Sequence, residues 1–390
     1  MRRSGELMKP FNAIYLFAFI SFLLGSAQFI TIGTLDRIAL SLGVPVASAG
    51  QLITVFSLAS ALGTPLVIMA AARWDVRRQL LLGLSLAAFG VVATAFLPSF
   101  GLLLVARGLM GIGMGVYTVC AYSAAAKLAP AGHGARALAT IAIGASVSLV
   151  LAVPVGRLLT DIYDWRVVFL GVGVLTWLAV LAAARILPAA TAEPPVSLGR
   201  QLAYLKHPRI AWTLAMPLFM FISYSSVNTY IAPLLIGALP FTSTEVSWVL
   251  LGLGAASVLG AKLGGSLADR WGAPRTLVGG MLLQGFTLVL VQAAAGTVAP
   301  ALFLPLLLVW SAAAWTAGPT FSFNLVSLAP EAAGILLSLN GTFVQLGFAL
   351  GAVAGGAAAA GGSILHVTWV GAAAAAVAVA TAWVALYKAR

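Results

Sequence analysis

Apolar segments long enough to cross a lipid bilayer recur along the whole chain, separated by short polar breaks. A helix needs about 20 mostly apolar residues to cross about 30 Å of hydrocarbon. The segments that meet this requirement are 11–33, 48–71, 79–97, 101–126, 137–159, 166–187, 210–236, 245–267, 275–295, 299–322, 333–361 and 367–387. In lipid each segment must satisfy its own backbone hydrogen bonds, which a helix does. The sequence therefore predicts an all-α integral membrane protein with twelve transmembrane helices.

The composition agrees with lipid as the main solvent. Of the 390 residues, 62% are apolar and 8% are charged, whereas soluble proteins carry about a quarter charged residues. The net charge of +12 does not indicate a nucleic-acid partner, because the basic residues are not gathered into one patch. A single cysteine, Cys120, excludes a disulfide framework and a cysteine-based metal site. We expect no cofactor, no metal and a monomeric chain surrounded by membrane lipid.

The basic residues also predict an orientation. With the N-terminus in the cytoplasm, all but four of the 21 basic residues lie in or beside cytoplasmic segments. Arg37, Arg157 and Arg166 lie in outer loops or at span ends, and Arg107 alone lies within a span. Cytoplasmic loops of membrane proteins are enriched in lysine and arginine. We therefore expect a multi-pass protein of the cell inner or plasma membrane, with both termini in the cytoplasm.

The two halves of the chain resemble each other. The longest polar break, 188–209, divides six spans from six, which predicts an N-terminal bundle at 1–187, a cytoplasmic linker and a C-terminal bundle at 210–390. Parallel repeats of this kind are one transporter architecture, with the substrate site at the repeat interface near the midplane of the membrane. A shift of 197 residues aligns Gly63 with Gly260, Arg73 with Arg270, Trp74 with Trp271, Arg78 with Arg275 and Gly83 with Gly280.

The repeated loop carries a family resemblance. The segment 265–272, Gly-Ser-Leu-Ala-Asp-Arg-Trp-Gly, followed by Arg275, resembles the loop signature of the major facilitator superfamily. In the first copy Ala72 replaces the expected aspartate, and Asp75 follows one helical turn later. The resemblance implies two six-helix bundles and a loop that helps to hold one gating state. The gating residues that it implies are Arg73, Asp75, Arg78, Asp269, Arg270 and Arg275.

Three further segments are similar to the drug–proton antiporter branch, which includes sugar, arabinose and purine efflux proteins. They are 48–53, 107–113 and 153–157 with Asp164-Trp165-Arg166. This similarity implies export of a small amphipathic organic molecule in exchange for protons. Pro154 and Gly156 also suit a bent, closely packed helix, so the last segment is weaker evidence for export.

Span four offers a candidate substrate face around Arg107. An arginine inside a span costs about 2.5–3.5 kcal/mol on insertion scales unless it faces water or a partner, which favours a functional role over snorkelling to the headgroups. Met110, Met114 and Tyr117 share its helix face, and we expect this stripe to line a cavity. The alternative is that the stripe packs against a neighbouring helix. Gly108, Gly111 and Gly115 lie on another face, suited to helix packing.

Other spans contribute polar and aromatic candidates. Gln28 in span one lies at the depth of Arg107, where many relatives of the resembled family have an acidic residue. Amides inside spans often only bond neighbouring helices, so some of the candidates in the second half have a structural alternative. Those candidates are Phe221, Tyr224, Asn228, Trp310 and Asn340.

The leading functional hypothesis is a secondary transporter that exports a small organic molecule, such as a drug, sugar or nucleobase, with protons as the candidate coupling partner. No Asp, Glu or His lies deep inside a span, and proton coupling normally needs such a group. That absence keeps an uncoupled facilitator or an importer as the alternative. A membrane receptor or scaffold is a remote alternative, because it has no need of duplicated gating loops. We expect no enzyme, since catalytic clusters are missing from the spans.

Overall fold

The structure, a computed structural model, describes residues 2–129, 133–187, 199, 203–238, 241–295, 300–329 and 332–388. Its α-helices in chain order are α1 (Arg2–Gly33), α2 (Leu35–Leu42), α3 (Val46–Ala49), α4 (Gln51–Ala70), α5 (Val76–Phe96), α6 (Phe100–Leu128), α7 (Gly134–Ile162), α8 (Trp165–Ile186), α9 (Pro208–Asn228), α10 (Ile231–Ala238), α11 (Ser243–Trp271), α12 (Ala273–Ala295), α13 (Pro300–Leu328), α14 (Ala333–Ala360) and α15 (His366–Trp383). A π-helical turn, Val384–Lys388, follows α15.

The predicted all-α membrane fold is confirmed. Within the described residues, 12 helices are long and apolar enough to cross a membrane, and there is no β-strand. The spanning helices are α1, α3 with α4, α5 to α9, and α11 to α15. Most bounds lie within a few residues of the predicted ones.

The seventh span differs most from its prediction. It was expected to run over 210–236, but α9 ends at Asn228 and a separate helix, α10, begins at Ile231. Pro233 accounts for the break, because it has no N–H to donate and its ring clashes with the carbonyl four residues earlier, at Thr229. Pro233 itself lies in the first turn of α10, where proline is tolerated.

Polar residues cap the N-termini of several helices and so determine where these helices begin. The side chains of Asp75 and Asp164 accept hydrogen bonds from the first turns of α5 and α8. Thr242 and Glu245 form a capping box at the start of α11, in which each side chain accepts from the backbone of the other. These caps satisfy N–H groups that a helix start otherwise leaves without partners.

Contacts divide the chain into two compact units. The first comprises Met1–Thr34 and Leu58–Pro195, and the second comprises Leu35–Ser57 and Val196–Arg390. The second unit therefore includes α2, α3 and the first residues of α4. Most of the predicted linker, 188–209, lies outside the described residues, so the division into bundles at 1–187 and 210–390 stays a prediction.

The helices of both units pair in the same pattern. In the first unit α5 packs on α6 and α8, and α1 packs on α7 and α8. In the second unit α12 packs on α13 and α15, and α9 packs on α14 and α15. Each pair of the second unit is the counterpart of one in the first under the sequence repeat. The shift of 197 residues therefore reflects a repeated packing arrangement and not chance matches between apolar segments.

Glycines aligned by the repeat lie at equivalent contacts. A Cβ on Gly83 of α5 would lie 2.8 Å from the backbone nitrogen of Tyr117 in α6, and one on Gly280 of α12 would lie 2.5 Å from Oγ1 of Thr316 in α13. A Cβ on Gly63 would lie 2.5 Å from the Ile112 side chain in α6, and one on Gly260 would overlap the backbone of Ala312 in α13. Close packing of these helices therefore requires glycine at the aligned positions.

Candidate functional site

Arg107 lies wholly inside the first unit. It is the eighth residue of α6, about 10 Å from the start of that helix at 1.5 Å per residue, and its side chain is 1% exposed. Its guanidinium donates to the carbonyl oxygen of Ala27 in α1 at 3.1 Å and lies 3.3 Å from the sulfur of Met110. Since the group is buried and held by α1, it does not snorkel to the membrane surface.

The structure divides the predicted stripe on α6. Cβ atoms built on Gly90 and Gly83 of α5 would lie within 3.0 Å of Met110 and Tyr117 backbone atoms, so these two residues belong to the α5–α6 interface. The Tyr117 hydroxyl donates to the carbonyl of Phe17 in α1 at 2.7 Å. The other two members of the stripe are Arg107, which contacts α1, and half-buried Met114.

The glycines that bring α6 closest to α5 are not the ones singled out from sequence. Gly113 of α6 faces α5, where a Cβ would lie 2.5 Å from the Gly83 carbonyl oxygen. Gly115, one of the predicted packing residues, faces α4, and its Cβ would overlap Thr64. Gly108 and Gly111 lie on the same side of α6 by helical spacing. The helix therefore has two glycine faces, and the sequence indicated one.

Arg157 is a second buried cation, which the sequence analysis placed at a span end. It lies in α7 five residues before the helix end and is only 2% exposed. Its guanidinium donates to the carbonyl oxygen of Gly33, the last residue of α1, at 2.8 Å. The signal that could have found it is the apolar residues Leu158, Leu159 and Ile162, which extend the span past the arginine.

Helix α1 is the common partner of these groups. Gln28, half-buried, follows Ala27, whose carbonyl oxygen accepts from Arg107. Helix α7 packs closely along α1, where a Cβ on Gly156 would lie 2.7 Å from the side chain of Ile30. Pro154 lies inside α7 and is buried. The geometry places Gln28 and Arg107 at one level of the first unit, as the sequence predicted from depth.

Aromatic side chains form a cluster in the second unit. Phe221 and Tyr224 of α9 contact Trp310 and Trp315 of α13 and Phe348 of α14. Tyr224 and Trp310 are stacked, with ring centroids 5.2 Å apart and an interplanar angle of 20°. The structure brings together the three aromatic candidates predicted for this half and Trp315, which the sequence offers beside Trp310 in span ten. It adds Phe348, which helical spacing alone did not connect to them.

The amide candidates lie apart from the tightest part of this aromatic cluster. Asn228 is the last residue of α9 and is half-buried. Asn340 lies two helical turns before Phe348 on α14, and its Oδ1 atom is buried with no hydrogen-bond partner among the described residues. A buried acceptor without a donor costs free energy, so Oδ1 of Asn340 is suited to a donor that a ligand supplies.

The repeated loop is built differently in the two halves. In the first copy Asp75 accepts from the backbone N–H of Arg78 at 2.7 Å and forms an ion pair with its side chain at 3.5 Å. The buried side chain of Gln79 donates to the carbonyls of Ala71 and Trp74 at 3.0 and 3.1 Å. Sequence reasoning missed Gln79, although a glutamine beside an otherwise apolar span is itself a signal.

In the second copy a glycine with positive φ stands at the position of Asp75. Gly272, aligned with Asp75 by the repeat, has φ +86° and ends α11. That backbone conformation strongly favours glycine. Asp269, Arg270 and Arg275 are exposed. Arg73 is exposed as well, while Arg77 donates to the carbonyl of Ala184 at the end of α8.

Acidic and histidine side chains lie near the ends of the described spans. Glu245 is the third residue of its span and Asp269 the third from the end of the same span, while Asp161 is the second from the end of its own and His366 begins another. More than three residues from their ends, the described spans therefore hold two buried guanidinium groups and no carboxylate.

Comparisons with known proteins give the chain relatives along most of its length. A family model described as Major Facilitator Superfamily matches residues 17–352. YbcL of Bacillus subtilis, an uncharacterized MFS-type transporter, is 40% identical over 359 residues, which are 92% of each chain. The inner membrane transport protein YdhP of Escherichia coli K12 is 28% identical over 345 residues, 88% of this chain and 87% of YdhP.

The fold likeness extends to a solved structure. A bacterial homolog of the human lysosomal transporter Spinster, solved in an inward-facing and unoccupied conformation, covers 97% of this chain and 97% of its own. The TM-score is 0.78 at 15% identity. At that identity the likeness concerns the arrangement of the helices alone.

Proposed function

Because the chain belongs to the major facilitator superfamily, we propose that it is a secondary transporter of the inner membrane that exports a small amphipathic organic molecule by alternating access. YdhP is an inner membrane transport protein, which supports the location. The matched segments of the drug–proton antiporter branch support the direction. We also propose that six loop residues take part in gating, namely half-buried Asp75 and the exposed residues Arg73, Arg78, Asp269, Arg270 and Arg275.

The buried guanidinium of Arg107 is the observation that carries the substrate class. It is 1% exposed and held at the level of Gln28 by the Ala27 carbonyl. A unit charge about 6 Å away, at an effective dielectric constant of about 20, interacts with a guanidinium by about 3 kcal/mol. This energy favours an anionic group on the substrate and disfavours a cationic one, by about 100-fold each. We propose that the substrate is anionic or neutral.

The second unit supports recognition of an apolar, planar portion of the substrate. Phe221, Tyr224 and Trp310 form a buried aromatic cluster, and aromatic rings bind flat apolar groups through stacked and edge-to-face contacts. Asn228 and Asn340 add amide groups to the same helices. We propose these five residues, with Gln28, Arg107 and Met114, as substrate-contacting residues. Met110 and Tyr117 support the site from the α5–α6 interface.

An uncoupled facilitator is the second candidate function. It is favoured by the position of acidic and histidine residues, which in the described spans lie only within three residues of an end. Proton-coupled transport normally uses such a group deep in a span, where its protonation changes with the access state.

Transport by purified protein in liposomes tests both proposals. We would compare 2-naphthoate, 2-naphthamide and 2-naphthylmethylammonium, which share a ring system and differ in charge, while a trapped pH-sensitive dye reports proton movement. The expected result is transport of the anion or the amide, with the cation about 100-fold weaker than the neutral amide. Preference for the cation would contradict the role of Arg107. Substrate flux without proton movement would reject proton exchange and establish the facilitator.

A further inference from the structure

Tyr230 lies at the break between α9 and α10 and joins three segments of the second unit. Its side chain is 0% exposed although it lies outside the helices on either side. Its hydroxyl donates to the carbonyl oxygen of Ala352 in α14 at 2.9 Å and lies 3.2 Å from that of Ala47 in α3. One proton serves two carbonyls, so the hydroxyl bridges α14 and α3.

Glycines make the space that this tyrosine fills. A Cβ on Gly50, beside α3, would lie 2.6 Å from the Cζ atom of the Tyr230 ring. A Cβ on Gly356 of α14 would lie 2.5 Å from the Tyr230 hydroxyl oxygen and 3.0 Å from the Ala47 carbonyl oxygen. A side chain at either position would push the tyrosine out. Tyr230, Ala47, Gly50, Ala352 and Gly356 therefore form one fitted contact, called here the Tyr230 latch.

Two further hydrogen bonds hold the same segment in place. Arg37 of α2 donates to the hydroxyl of Ser243, at the start of α11, at 2.6 Å. Thr54 of α4 lies 3.5 Å from the carbonyl oxygen of Ala349 in α14. All these contacts join residues 35–57 to helices that lie more than 180 residues later in the sequence.

Helix α4 is divided by these contacts. Residues up to Ser57 belong to the second unit, while Leu58 and the rest of α4 belong to the first. Close to the boundary on the other side, Gly63 and Thr64 of α4 contact α6 of the first unit. Because α4 belongs to both units and contains Pro65, a movement between the units must bend α4 or break its contacts on one side. The latch is a closely fitted contact on the second-unit side.

We propose that the Tyr230 latch is a gate contact, which holds residues 35–57 against the second unit in one access state and must open for the other. The hydroxyl is the key group, because a phenylalanine ring would fill the same space without bridging the two carbonyls. If Tyr230 only fills space, Tyr230→Phe should have no effect. If its hydroxyl holds the latch closed, Tyr230→Phe should make the latch open more often. The hydrogen-bonded contact itself does not depend on the proposed transport function. Its role as a gate in the transport cycle does.

Thiol labelling measures the opening without any substrate. Ala49 of α3 is 0% exposed, so a cysteine at this position reacts only when residues 35–57 leave the second unit. The labelling rate of Ala49→Cys would be measured on purified full-length protein in a Cys120→Ala background, with and without Tyr230→Phe. We expect Tyr230→Phe to raise the rate by about tenfold, the value of one hydrogen bond near the upper end of its range.

Matched variants separate the latch from general loosening of the fold. Gly356→Ala should raise the labelling rate as Tyr230→Phe does, because its methyl group displaces the hydroxyl. Gly341→Ala on the same helix, where a Cβ meets nothing within 4 Å, and Tyr163→Phe at an exposed tyrosine should leave the rate unchanged. Thermal unfolding would confirm that each variant is folded. Labelling of Tyr230→Phe and Gly356→Ala at the control rate would overturn the proposal.

A tether tests the place of the latch in transport. Arg37→Cys and Ser243→Cys, joined by a short bismaleimide, should abolish transport, and cleavage of an equivalent reducible linker should restore it. Full transport by the tethered protein would overturn the gating role. Faster labelling in Tyr230→Phe together with no transport by any form of the protein would leave the latch standing and reject the proposed function instead.

Discussion

Arg107 and Arg157 present the same chemistry to α1 with different consequences. Arg157 donates to the carbonyl of Gly33, the last residue of α1, where a helix leaves carbonyl oxygens without intrahelical donors and favours a cation. This contact with a helix end accounts for its position. Arg107 donates to Ala27, six residues earlier, where the helical ladder already supplies a donor. That difference makes Arg107 the stronger candidate for a role in substrate binding.

Arg107→Ala should therefore reduce transport much more than it reduces folding. We expect a loss of at least about 30-fold, equivalent to about 2 kcal/mol for a buried charged contact, and partial recovery in Arg107→Lys, which restores charge without the planar fork. Arg166→Ala, at the half-exposed start of α8, is the control and should keep near-native rates. Initial rates in liposomes measure the effect. An equal loss in both alanine variants would argue against a specific role.

Gln79 holds the first repeated loop through its buried side chain. Its buried amide donates to two loop carbonyls, Ala71 and Trp74, and Gln79→Leu removes both hydrogen bonds. We expect the free energy of unfolding to fall by about 1–3 kcal/mol, seen as a lower thermal midpoint. Gln51→Leu, at an exposed glutamine of α4, should change stability little. An unaltered midpoint in Gln79→Leu would show that the loop is held elsewhere.

At the scale of the helices, close approach at glycine is the main device of packing. In lipid the apolar side chains gain little by leaving their solvent, so helix association depends on contact area, which small residues increase. Helices α1 and α7 meet through Gly25, Gly33, Gly144 and Gly156, and α11 meets α13 through Gly260 and Gly264. The sequence showed many glycines but not which neighbour each one faces.

Adjacent glycines of α11 allow a matched test of this packing. A Cβ on Gly264 would lie 2.5 Å from the carbonyl carbon of Thr316 in α13, whereas one on Gly265 would meet nothing within 4 Å. Gly264→Ala should force the helices apart and cost about 1–3 kcal/mol. Gly265→Ala should be neutral or stabilising, because alanine favours a helix by about 1 kcal/mol over glycine. Thermal unfolding of both variants measures the difference in stability. Equal unfolding midpoints would contradict the proposed contact.

At the scale of the whole molecule, the internal repeat extends from sequence to packing. The same helix pairs occur in both units, although the two loops use different residues: Asp75 caps α5 through its side chain, and Gly272 turns the chain by its positive φ. Five residues join the helices in the first loop and one residue joins them in the second, so the repeat constrains the arrangement of the helices more than it constrains the loops.

The orientation of the molecule in the membrane remains a prediction from the basic residues and can be tested directly. Leu40 on α2 is 85% exposed and Trp74 in the first repeated loop is 45% exposed, and the order of spans places them on opposite sides. In a Cys120→Ala background, Leu40→Cys should react in intact cells with a membrane-impermeant maleimide, and Trp74→Cys should react only after the membrane is opened. The reverse pattern would place both termini outside.

The sequence by itself determined the membrane fold, the number of spans and the internal repeat, because a bilayer imposes length and apolarity on every crossing segment. It also indicated Arg107, since charge inside a span is conspicuous. It did not indicate Arg157 as buried, the division of the α6 stripe, or the addition of Phe348 to the aromatic cluster.

Those features were decided by the tertiary structure, because they depend on which helix each face meets and how closely. The Tyr230 latch is the clearest case. Its parts are a tyrosine at a proline-induced break, two glycines and two backbone carbonyls from segments more than 100 residues apart. None of these parts is unusual in an apolar chain, and only their fit in three dimensions distinguishes them.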